Sequence, residues 1–131
     1  MSGNPIPPSQ IPSSQIDYER RELENFRGRL SHENELVLKL KGILREITDQ
    51  EKAATAILKA TSPDNTQYAY DRRLATEALE ELAEKRIQTE ERLTRRQAVI
   101  KQLNSQIGAL NVSEIERRDK IAALAARLAR S

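Results

Sequence analysis

ELVLKLKGILREITDQEKAATAIL, residues 35–58, decides how the rest of the chain is read. Val37, Leu40, Leu44, Ile47, Ala54 and Leu58 recur at alternating steps of three and four, with acidic Glu51 at the one position left over. That alternation winds apolar side chains onto a single stripe of an α-helix, the a/d seam of a coiled coil. Toward the N-terminus, Leu30, Phe26, Leu23 and Ile16 keep the same spacing, interrupted by Glu33 and Glu19. A second apolar row, Leu36, Ile43 and Ile57, runs beside the first. One seam serves one partner helix, so the extra row predicts a further neighbour.

Composition agrees with a helical chain. Of 131 residues, 32% are charged and only 3% aromatic: Phe26, Tyr18, Tyr68 and Tyr70, with no tryptophan. A compact globule of this length draws on more large aromatics for its core. Richness in Ala, Glu, Lys, Leu and Arg at helical spacing signals long helices. The net charge of +2 is local, because residues 1–15 carry no charged side chain and residues 16–112 balance. The excess lies in residues 113–131, through Arg117, Arg118, Lys120, Arg127 and Arg130.

The spacing stops at ATSPDNTQ, residues 60–67. Ser62 precedes a proline and is pushed from helical angles. Pro63 suits the first position of a new helix, with Ser62 as its N-cap and Asp64 at the positive end of the dipole. A turn is therefore expected at Ser62, Pro63, Asp64 and Asn65. Beyond it Ala75, Leu79, Leu82, Leu93, Ile100, Leu103, Ile107 and Leu110 form a second run, with Arg72, Arg86, Thr89 and Arg96 at its seam. GALNVSEIE then predicts a break. Ser113 and Glu116 read as a capping box ahead of a short amphipathic helix whose contacts are Ile121, Leu124 and Leu128.

The expected fold class is all-α, an elongated coiled coil. Its parts are an extended Pro-rich segment over 1–14, a long helix over 15–61, a turn and second long helix over 62–111, and a short C-terminal helix over 112–131. The heptad register also permits one continuous rod. In a parallel oligomer of such rods each seam Glu and Arg would meet its own copy, which is costly. An antiparallel hairpin centred on Pro63 avoids this and is favoured. Its layers pair Ile47 with Leu79, Leu44 with Leu82, Phe26 with Ile100, Leu23 with Leu103 and Ile16 with Leu110. Glu33 then lies one layer from Arg96, and Glu51 one layer from Arg72. Arg86, opposite Leu40, is left to extend its head to water.

No reaction chemistry is expected. His32 is the single histidine and falls outside the seam, and there is no cysteine. Neither a metal-ligand set nor a nucleophile–base pair is assembled by these residues. Gly28, Gly42 and Gly108 are isolated, which predicts local bending or close packing, not a phosphate loop. ERLTRR and IERRDK are basic but interleaved with acids and lack stacking aromatics, so nucleic-acid association through the C-terminal helix is the weaker reading. No cofactor is expected. The sequence has no run long enough to span a membrane and no cleaved signal peptide.

PIPPSQIPSSQID, residues 5–17, remains. Its prolines favour an extended chain, and Ile6, Pro7, Pro8, Ile11 and Pro12 form the candidate docking peptide. Ser14 reads as the cap of the first helix. An anchoring peptide, a coiled-coil spacer and a terminal capping helix together look like fibre, collar or baseplate components of phage tails. That likeness is one of architecture and implies a non-enzymatic structural or adaptor subunit, multi-copy, with protein partners, cytoplasmic or virion-associated. A coiled-coil chaperone or the stalk of a secretion apparatus is the alternative.

Overall fold

The computed structural model describes residues 10–130, with side chains from Gln15 onward. Helix α1 spans Gln10–Ala60, a single 3-10 turn spans Thr66–Tyr68, and helix α2 spans Ala69–Arg130. The class is all-α: the described residues are 96% helical and contain no strand.

Two boundaries differ from the expectation. Helix α1 begins at Gln10, so residues 10–14 are helical and not extended, and Ser14 lies inside the helix. Pro12 is tolerated there because the first four N–H groups of a helix have no intrahelical acceptor to lose. The break predicted near residue 112 is not present either, since α2 runs without interruption from Ala69 to Arg130. One internal glycine costs about 1 kcal/mol relative to alanine, which a long helix absorbs. The spacing Ile107, Leu110, Glu114, Arg117 also crosses the segment unbroken. Ser113 is therefore a mid-helix residue, not a cap.

The turn is longer than expected. Thr61 N–H still donates to Ile57 O at 3.1 Å, and Ser62 Oγ accepts from Asp64 N–H at 3.4 Å. Asn65, not Ser62, is the cap at the far side of the turn: its Oδ1 accepts from Gln67 N–H at 3.0 Å and starts the 3-10 turn. Helix α2 begins only at Ala69, six residues beyond Pro63. Gly28, Gly42 and Gly108 have no atom within 4 Å of where a Cβ would stand, so close packing does not explain them.

The chain divides into two compact units, one from Glu33 to Val99 and one formed by the residues up to His32 with those from Ile100 onward. In the first, α1 contributes Val37, Ile47 and Ala54 to the buried core and α2 contributes Ala75 and Leu82. Leu40, Leu44, Leu58, Leu79 and Leu93 are half-buried beside them. In the second, Leu103 is buried, with Ile16, Leu23, Phe26, Leu30, Ile100, Ile107 and Leu110 half-buried.

Candidate interaction surfaces

Polar residues inside the apolar stripes are the distinctive feature of both units. In the Glu33–Val99 unit, Arg72 turns back from the start of α2 to the end of α1. Its Nη1 donates to Leu58 O at 2.8 Å, to Thr61 Oγ1 at 3.0 Å and to Thr61 O. Those carbonyls have no intrahelical donor, and a cation at the negative end of the helix dipole is favourable. Arg72 thus caps α1 and does not neutralise Glu51.

Glu51 instead meets Arg86, whose Nη2 donates both to its carboxylate and, at 2.9 Å, to Thr48 Oγ1. The hydrogen bond to Glu51 raises the Arg86 pKa further above its already high ordinary value. Arg86 is therefore compensated, against the expectation that its head would only reach water. Further along, Arg96 Nη1 donates to Glu33 Oε1 at 3.0 Å and to Oε2 at 3.4 Å. Glu33 is 8% exposed, whereas the Arg96 side chain is 45% exposed. Thr89, also buried, donates to Lys85 O at 2.7 Å and leaves no unsatisfied hydroxyl.

The order of these contacts is antiparallel: Thr61 meets Arg72, Glu51 meets Arg86, and Glu33 meets Arg96. Each falls later along α2 than the pairing centred on Pro63 would place it, by seven residues at Thr61–Arg72, eleven at Glu51–Arg86 and three at Glu33–Arg96. The longer turn is the physical reason. Residues 61–68 separate the helices, so each α1 position faces a later α2 position than a four-residue turn would give it.

In the other unit, Arg117 Nη2 donates to Glu19 Oε2 at 2.5 Å, and Ser113 Oγ donates to Glu19 Oε1 at 3.3 Å. The Arg117 hydrogen bond holds the Glu19 carboxyl below its ordinary value, with help from Ser113 and Gln15 and against partial burial. Ile16, Leu23, Leu110 and Ile121 line a cleft of about 150 Å³ beside this pair. Ile121, Leu124 and Leu128, the residues assigned to a separate C-terminal helix, are exposed on the last turns of α2.

The second apolar row is only partly covered. Leu36 and Ile43 are half-buried, and Ile57 is 43% exposed. Leu36 and Leu40 of α1 form a groove of about 580 Å³ with Arg92, Arg95 and Val99 of α2, and Lys39 lies on its edge. Sequence reasoning missed this groove's α2 wall, because Arg92 and Val99 break no pattern until α1 is set beside them.

Of the candidate docking peptide, Ile6, Pro7 and Pro8 lie outside the described residues. Ile11 and Pro12 fall in the first turns of α1. His32 is exposed on α1, and no cluster of three metal-ligating side chains occurs among the described residues. None of the described helices is long and apolar enough to cross a membrane. Comparison with protein-family models, curated proteins and solved structures finds no match for the chain.

Proposed function

We propose that the chain is a non-enzymatic structural or adaptor subunit, present in several copies in a larger protein assembly of the phage-tail fibre, collar or baseplate type. It would act in the cytoplasm or within a virion. Its long helices serve as a spacer or clamp, its N-terminal peptide as the anchor, and the last turns of α2 as a cap or oligomerisation element. The observation that supports this reading is apolar surface in excess of one seam. Leu36, Ile43 and Ile57 stand beside stripes that α1 and α2 already fill with each other. Side chains of this kind fit a protein surface better than water.

The test is incorporation. The full chain should co-sediment with a high-mass particle from the cells or virions that produce it. A form lacking residues 1–9, which leaves α1 whole, should sediment at its own mass with unchanged helicity by circular dichroism. Equal co-sedimentation of the shortened form would overturn the anchoring role.

A further inference from the structure

We propose that the Glu33–Val99 unit binds a second copy of itself, face to face and end for end, through the row beside its seam. In each helix the residue preceding a seam position falls on one side of the pair. On α1 they include Leu36, Ile43 and Ile57, with Glu46 between them, and on α2 Leu74, Glu81, Lys85, Arg92 and Val99. The groove shared by Leu36, Arg92 and Val99 shows that the two rows lie on the same side. Ile57 and Leu74, toward the turn, are 43% and 44% exposed.

The charges on this face are sorted toward its two ends, with Glu46 and Lys85 near its middle. Lys39, Arg92 and Arg95 cluster with Leu36 and Val99 at one end, while Glu81 and Asp71 accompany Ile57 and Leu74 at the other. Two copies laid with like ends together would gather the cations of both, a repulsive arrangement. Turned end for end, Leu36 meets the partner's Ile57, Val99 meets the partner's Leu74, and Arg92 meets Glu81 of the partner subunit.

One two-fold axis satisfies both helices. The midpoint between Leu36 and Ile57 falls beside Ile47 on α1, and that between Val99 and Leu74 falls beside Arg86 on α2. Arg86 donates to Thr48, next to Ile47, so the two midpoints stand at one level. A two-fold axis there makes each contact twice, the self-complementary geometry of a closed dimer. Sorted charge selects this occupant over an acidic helix from another protein, because the chain itself supplies the acidic end.

The inference rests on the multi-copy part of the proposed function and not on its anchor. Its test is the mass of the full purified chain by sedimentation equilibrium over a range of concentrations. The chain should be dimeric. Arg92→Glu and Glu81→Arg should each weaken the dimer by about tenfold, and the double variant should restore it. Both residues are exposed and lie outside the seam, so helicity reports that the fold is unchanged. Since the chain has no cysteine, copies carrying Leu36→Cys should cross-link on oxidation with copies carrying Ile57→Cys. Neither variant should do so alone. A monomer at all concentrations would overturn the proposal. So would a dimer indifferent to the charge exchange, or Leu36→Cys copies cross-linking to one another. A dimer that forms normally while the shortened form still co-sediments breaks the anchor and leaves this interface standing.

Discussion

The two units place an ion pair in their apolar stripes by different means. In the Glu33–Val99 unit the Glu33–Arg96 pair is lopsided, with Glu33 nearly closed off and Arg96 keeping much of its head in water, while Glu51 and Arg86 are covered equally. In the other unit Glu19 and Arg117 are both largely covered, and Ser113 supplies a further donor to the carboxylate. The long arginine stem explains the lopsided pair. It can cross the edge of a seam and still present its head to solvent, whereas a glutamate at the same level cannot. Whether removing a partner is tolerated therefore depends on which group is left behind.

The largest losses should come from apolar truncation, because it sets the scale for both units. Ile47→Ala in one and Leu103→Ala in the other, each at a position only 1% exposed, should cost about 3 kcal/mol by chemical denaturation. Losses below about 1 kcal/mol would mean that the site collapses around the smaller side chain.

Next come the pairs. Arg96→Met strands the Glu33 carboxylate and should cost about 2 kcal/mol, while Glu33→Gln frees Arg96 to water and should cost about 1 kcal/mol. In the other unit Arg117→Met and Glu19→Gln should cost similar amounts, about 2 kcal/mol each, because neither partner can retreat. Equal costs for Arg96 and Glu33 would erase the contrast between the units.

Acid sharpens it. The Glu19 pKa is lowered in the folded chain, first by the hydrogen bond from Arg117. Its contribution is present above the ordinary carboxylate range and is lost as pH falls through the lowered value. Melting temperature should decline on acidification, and Arg117→Met should flatten that decline. The same slope in both proteins would show that Glu19 is not the group responsible.

The smallest effect should be a gain. Gly108 lies inside α2 with open space where a Cβ would stand, so Gly108→Ala should stabilise by up to about 1 kcal/mol in the same denaturation experiment. A loss would mean that the glycine serves a contact made only in an assembly.

Several of these features are legible in the primary structure. The all-α class follows from spacing and composition, because apolar residues at steps of three and four leave a helix one stripe to bury. The acidic and basic residues within the stripes are equally visible, and so is the nearness of Glu33 to Arg96. The sites of the two helix boundaries are not. Pro63 marks that the chain must turn, but its fixed φ leaves open how many residues pass before α2 begins. A glycine and a plausible capping box near residue 112 resemble a helix end, yet Ser113 has a better use as a donor to Glu19.

By itself, then, the sequence determined that this is a chain of long helices, through apolar residues recurring at steps of three and four. Only the tertiary structure decided which α2 residue each α1 residue meets. A heptad repeat is indifferent to a slide of seven, since every apolar layer then faces another apolar layer. The choice falls to groups that do not repeat: the length of the turn, the α1 carbonyls that Arg72 caps, and the carboxylate of Glu51, which accepts from Arg86.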